Sequence, residues 1–251
     1  MNATLRRRLL ACLVMAAAFL AGCGGDDDED TSPTTGAPAA PEPAPASTAP
    51  PVTAAPRASS DPARAQKAQS AVLQIADFPP GWKEEPEAML HLETIWAELT
   101  RCLGVEATGP ALGIATSQPF LRDLATQTRS TVEYMPEQSA RALAAALSGP
   151  NFTRCATDAF TADARRSAPE GATPSPVEVT ALDFANLAQQ TSATRINVRM
   201  VFPDGCEVPI FQDFLVFLDG DTVTRMFFLN PGRPFPADLE RQLVDKVLAR
   251  A

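Results

Sequence analysis

Apolar residues are distributed along this chain in three ways, and each way predicts a different kind of structure. From Leu9 to Leu20 they form one unbroken run. From Gly24 to Pro62 there is no aromatic residue, and Ala, Ser, Thr and nine prolines fill most positions. Such a segment cannot bury enough apolar surface to offset its ordering entropy, so residues 23–61 are expected to form a disordered tether. Its reach would be about 35 Å as a coil and roughly 120 Å if fully extended. From Pro62 onward, helical and strand periods take turns.

Asp61 before Pro62 reads as an N-cap with proline at the first helical position, and Ala65, Ala68, Val72 and Ile75 recur at helical spacing. Pro79-Pro80-Gly81 stops that helix, and Trp82 then either packs on a corner of the core or forms the lip of a cleft. Pro86 opens a second helix with the stripe Leu92, Ile95, Trp96, Leu99 and Leu103, and Cys102 lies near its end. Residues 104–118, rich in Gly, Ala and Thr, read as irregular. A strand is expected over 128–135, then helices over 137–147 and 151–165, with Cys155 on the apolar side of the latter.

Past a Pro/Gly/Ser loop at 167–176 the pattern becomes that of an antiparallel sheet. One strand is expected over 177–184. Over 194–202, Ile196, Val198, Met200 and Phe202 alternate with Arg195, Asn197 and Arg199, so one face should be buried and the other wet. Residues 210–218 are apolar on both parities, which fits either a central strand covered on both faces or a strand at a partner surface. Asp219-Gly220 signals a hairpin into a strand over 222–229, and Pro236 opens a last helix with Leu239, Leu243, Val247 and Leu248 facing inward. The expected fold is α+β: a two-layer arrangement of antiparallel sheet packed by helices, forming one domain over 62–251.

The ends of the chain change the picture of where this domain resides. Arg6, Arg7 and Arg8 precede the apolar run, which is too short for a spanning helix of about 20 residues and reads as a signal peptide over 1–22. The run closes on Leu20-Ala21-Gly22-Cys23, which resembles the lipobox of bacterial lipoproteins. That resemblance implies lipidation of the Cys23 thiol and cleavage before it, giving a cell-membrane, extracytoplasmic location; two acyl chains suffice for stable anchoring. The formal charge of the 251-residue chain is −9, and losing the three leader arginines makes it more negative still. Nucleic-acid binding needs a basic footprint, so no nucleic-acid partner is expected. The acidic run Asp26 to Asp30 lacks the glycine and alternating ligands of a calcium loop and reads as a solvated spacer.

With Cys12 removed and Cys23 lipidated, Cys102, Cys155 and Cys206 remain in a compartment that permits disulfides. Cys102 and Cys155 are expected to pair, because both fall on helices whose apolar faces must meet over the sheet. Cys206 is left as a partly buried thiol, an intermolecular disulfide or a redox group. No metal site or cofactor is expected, and no Gly-x-Ser-x-Gly, Ser-x-x-Lys, Gly-x-Gly-x-x-Gly or phosphate loop occurs. The one histidine, His91, lies in the second predicted helix with no Ser or Cys motif beside it. No catalytic residue is assigned and the chain is not expected to be an enzyme. Arg195 and Arg199 could hold an anion or be solvated, so the ligand-binding residues are unknown at this stage.

Ile75-Ala76-Asp77-Phe78-Pro79-Pro80-Gly81-Trp82, Cys102-Leu103-Gly104, Phe152 with Cys155, and the strand pair ending at 214–220 together resemble the extracytoplasmic sensor-like domains of actinobacterial lipoproteins. These are similar to the outer domain of PknH-type receptor kinases. The resemblance covers about residues 62–251 and implies an α+β domain with a groove on the sheet that takes a cell-envelope ligand. The chain departs from that family in carrying three cysteines where the kinase domain has two disulfides. The expected function is non-enzymatic binding or sensing of an envelope ligand from a membrane anchor. The alternative is a structural or protein-interaction component of the envelope.

Overall fold

The computed structural model describes residues 59–86, 91–105, 111–123 and 125–251. The leader, Cys23 and the tether as far as residue 58 lie outside them. Helix α1 (Pro62–Ala71), a 3₁₀ turn (Ile75–Asp77) and strand β1 (Trp82–Glu84) come first. Helix α2 (Leu92–Cys102) precedes strands β2 (Gly113–Thr116), β3 (Phe120–Arg122) and β4 (Thr126–Tyr134), and helices α3 (Glu137–Leu147) and α4 (Phe152–Ser167) follow. The rest is β5 (Thr173–Pro174), β6 (Glu178–Ala181), β7 (Gln190–Val201), β8 (Glu207–Asp219), β9 (Thr222–Pro231) and helix α5 (Ala237–Leu248).

The strands make one sheet in the order β1-β3-β4-β9-β8-β7-β5, with β2 also against β4 and β6 also against β7. All the strand pairings are antiparallel. This is the expected α+β class, an antiparallel sheet packed by helices. The helices divide between its two faces. Phe214, Val216 and Leu218 of β8 pack with α2, α3 and α4, whereas Leu215 and Phe217 pack with α1 and α5. Successive strand residues point to opposite faces, so the two-parity apolar pattern of 210–218 is that of a central strand covered on both sides.

Local chemistry sets the element ends. Asp61 Oδ1 accepts from the backbone N–H of Ala63 at 2.9 Å and of Arg64 at 3.2 Å, which caps α1 as the Asp-Pro pair predicts. Gly220 takes φ of 59° in the two-residue turn between β8 and β9, a conformation that favours glycine. Gly113 has a different role: a Cβ there would lie 2.4 Å from the backbone carbon of Arg64, so α1 rests directly on β2. Trp82 is buried against Phe78 and Phe235, at ring separations of 4.8 and 6.0 Å, and so packs on the core.

Cys102 and Cys155 form a disulfide with Cα atoms 5.5 Å apart, tying α2 to α4. A cross-link over 53 residues stabilises by about 4 kcal/mol on the chain-entropy estimate. Four expectations need correction. The α+β class holds, but helices cover both faces of the sheet, so there are three layers where two were expected. The segment 104–118 is not wholly irregular, because Gly113–Thr116 forms β2. The first helix ends at Ala71 and the rest of its apolar spacing, Val72 and Ile75, passes through an extended cap and a 3₁₀ turn. The strands β1, β3 and β5 were not expected, since two or three residues are too few to display a period.

Candidate functional site

Beneath α2 a charged cluster bridges helix and sheet. Arg225 of β9 is fully buried, its Nη2 3.3 Å from Glu133 Oε2 and 3.7 Å from Glu93 Oε2. Its guanidinium carbon lies 4.6 Å from the centre of the Trp96 ring, close enough for a cation–π contact. Glu93 Oε1 accepts from Thr131 Oγ1 at 2.9 Å and Thr116 Oγ1 at 3.2 Å. Burial alone would raise the Glu93 carboxyl, but Arg225 and these hydroxyls outweigh it and hold it below the usual range. The cluster orients α2 on the sheet and presents no nucleophile.

On the opposite face, Arg195 of β7 grips Asp213 of β8 with a two-pronged ion pair, Nε to Oδ1 and Nη2 to Oδ2 both at 2.7 Å. Glu240 of α5 is buried against this pair, and its Oε1 has no hydrogen-bond partner among the described residues. Burial, then the Asp213 charge, push the Glu240 carboxyl up to about 8 despite Arg195. One guanidinium thus faces two carboxyl groups, and one of them keeps its proton at neutral pH. Both carboxyls are closed off from solvent, so no substrate reaches them in this conformation.

His91, immediately before α2, meets Asp163 and Ser167, which lie one turn apart on α4. Its Nδ1 is 3.1 Å from Asp163 Oδ1 and 3.3 Å from Ser167 Oγ. A catalytic triad needs the acid on one ring nitrogen and the serine on the other. Here both crowd the same nitrogen, so these three residues do not form a nucleophile–base pair. The Asp163 hydrogen bond raises the imidazole above its ordinary value against the opposing effect of burial. With Arg166 gripping Glu98 at 2.7 and 3.2 Å, the group clasps α2 to α4 alongside the disulfide.

A groove of about 330 Å³ opens at the sheet edge, between the first turn of α4 and the pair β6–β7. Half-buried Phe152 and Val179 belong to the core on the α4 side, whereas Leu182 and Phe184 pack on the other face of the sheet, Phe184 against Phe217. Ser192 and Thr194 share the face of Val216 and Phe214, whereas Thr180 and Thr191 lie opposite Arg195 and Phe217 on the other one; no ionisable residue among those described lines the groove. Thr180 Oγ1 donates to the Arg195 carbonyl and Thr191 Oγ1 accepts from the Leu187 N–H, each at a long 3.4 Å. Thr194 is only 4% exposed.

The structure places the residues singled out from sequence as follows. Arg195 is held by Asp213, and Arg199, largely exposed, pairs with Glu207 at 3.2 Å. Cys206 is half-buried in the β7–β8 turn, its backbone N–H donating to Asp204 Oδ1, and forms no disulfide among the described residues. Cys23 lies outside the described residues. Among the described residues, no group of three or more His, Cys, Asp or Glu is arranged to hold a metal ion. Also among them, no helix is long and apolar enough to cross a membrane. Glu240 and Asp213 had a signal in the sequence: each is an acid at a position whose neighbours in the period, Leu243 and Val247 for one and Leu215 and Phe217 for the other, are core. Thr194 and the groove had none.

No protein-family model matches this chain, and no curated protein matches it with significance. Among solved structures, it is similar to a Pseudomonas aeruginosa protein of unknown function described as a candidate regulator. Identity is 12%, covering 57% of this chain and 83% of that one, with a TM-score of 0.24. At that score the likeness carries no argument about fold or function.

Proposed function

We propose that this chain is a lipid-anchored extracytoplasmic protein whose globular domain binds or senses a cell-envelope ligand without turning it over. The observation that carries this reading is the ordered sequence Arg6-Arg7-Arg8, apolar run, Leu20-Ala21-Gly22-Cys23, followed by a proline-rich acidic segment. The Cys102–Cys155 disulfide supports it, because such bonds persist in oxidising compartments and are rare in the cytosol. The polar clusters under the helices are closed off or wrongly arranged for nucleophilic chemistry, whereas the groove at the sheet edge is open and of ligand size. The alternative reading, a structural or protein-interaction component of the envelope, was motivated by the two-faced apolar strand. With β8 covered on both faces, that pattern no longer calls for a partner.

The test is Cys23→Ser in the producing cell, with fractionation and intact-mass measurement. The parent should sediment with membranes and carry acyl mass on a chain that begins at Cys23. The variant should lose both while retaining the Cys102–Cys155 bond. A variant that stays in the membrane fraction would sink the proposal.

A further inference from the structure

We infer that the start of α2 is a proton-operated latch on α4: it docks on the closing turns of that helix through His91 and Asp163 while the imidazole carries a proton, and its docking weakens when the proton leaves. The inference is independent of the anchoring and ligand-binding reading, so the Cys23→Ser fractionation neither supports nor undermines it. The two helices run antiparallel and are tied at their two ends by different chemistry. The Cys102–Cys155 bond joins the end of α2 to the start of α4 and does not titrate. At the other end His91 Nδ1 lies 3.1 Å from Asp163 Oδ1 and 3.3 Å from Ser167 Oγ.

The second tie is built to feel the proton. Only 9% of the Asp163 side chain is exposed, against 39% of His91, so solvent protons reach the ring without the helices parting. The other cation near Asp163, Arg166, stands 3.7 Å off and is committed to Glu98 of α2. Protonated His91 therefore supplies the near counter-charge of a carboxylate that has little water. The neutral ring can still donate one hydrogen bond but brings no charge. The helix ends act in the same sense. Docked, the imidazolium sits at the C-terminal end of α4, where a cation is favoured; undocked, it is left at the N-terminal end of α2, where a cation is disfavoured. Glu93 of α2 turns instead to Arg225, and β5 and β6, which pack on α4, add no charge to the imidazole among the described residues. The Asp163 hydrogen bond accordingly holds the ring above its ordinary value of 6.5, against burial and the repulsion of Arg166. Proton binding and docking are thus linked: the proton's contribution to the latch is full below 6.5 and is lost as pH climbs through the docked value.

The chain has one histidine, so the imidazole signals in an NMR titration of the full chain in detergent micelles belong to His91. Hydrogen exchange in the same sample reads the two ends separately. The Ile95 N–H donates to the His91 carbonyl at 2.9 Å and reports the latch, whereas the Leu103 N–H donates to the Leu99 carbonyl at 3.0 Å and reports the disulfide end. His91 should titrate above 6.5. Between about pH 5 and 8, Ile95 exchange, corrected for its intrinsic dependence on pH, should speed up severalfold while that of Leu103 stays level. Asp163→Asn, which keeps the shape and removes the charge, should bring the titration to 6.5 or below and flatten the Ile95 response. Should that variant not fold, His91→Gln, at a partly exposed position, should flatten the same response. A parent His91 that titrates at or below 6.5, corrected Ile95 exchange that ignores pH, an equal rise at Leu103, or a response that survives these substitutions would overturn the latch.

Discussion

Glu240 owes its proton to its position. Its side chain is sealed between α5 and the sheet, facing an Asp213 already gripped by Arg195, so ionising it would add an uncompensated negative charge to the core. The folded chain holds that proton up to about pH 8, whereas the unfolded chain releases it near the ordinary glutamate value of 4.5. Between those two values the folded state binds more protons, so the Glu240 contribution makes stability fall as pH rises through that window. Glu240→Gln should remove a slope of about 1 kcal/mol per pH unit, and urea melts across the window would test this. Identical slopes in parent and variant would refute it. His91 bends stability the same way: its raised value adds stability that is fully present below 6.5 and lost as pH climbs through the higher folded value. Sequence reading located the cysteine pair because both thiols fall on apolar helix faces that had to meet. It passed over Glu240, because an acid on a core stripe looks the same as one at its margin until the neighbouring helix and sheet are in place.

At the level of elements, the long periodic segments were legible and the short ones were not. The helix at 137–147 occupies the expected residues, and β7, β8 and β9 fall on the expected alternations with ends moved by a few residues. Strand β2 was missed because Gly113-Ile114-Ala115-Thr116 has no large side chain on its inward positions. It is specified instead by the bulk it lacks: Gly113 lets the backbone of α1 lie against the strand. A methyl group at 113 must displace main chain, which cannot rotate away as a side chain would. Gly113→Ala should therefore destabilise by about 2 kcal/mol or more, seen as a lower melting temperature. A melting curve unchanged from the parent would show that α1 gives way at little cost.

For the whole molecule, two cores share one sheet. Trp96 lies in the core beneath α2, α3 and α4, and Trp82 in the core beneath α1 and α5, so the two tryptophans report on opposite faces of the same strands. Because β8 contributes alternate residues to both cores, neither can dissolve alone without exposing the other. In Trp82→Phe and Trp96→Phe proteins, the remaining indole and the far-ultraviolet signal should trace one coincident urea transition. Separate midpoints within either variant would mean that the faces unfold independently. The sequence announced this arrangement through the two-parity apolar strand but could not say what covered the second face, since covering helices and a partner leave the same pattern. The strand order also bears on biogenesis. Strands β7, β8 and β9 form a meander of neighbours, but β4 lies far upstream and pairs along most of its length with β9, Thr131 opposite Arg225. On the proposed route across the membrane the chain emerges N-terminus first, and until residue 231 is out β4 has only the short β2 and β3 to pair with. The edge that β9 will occupy stays open for that interval, which is the condition that favours aggregation. Transit, before any anchoring, is then the stage of its life at which this domain most needs a chaperone.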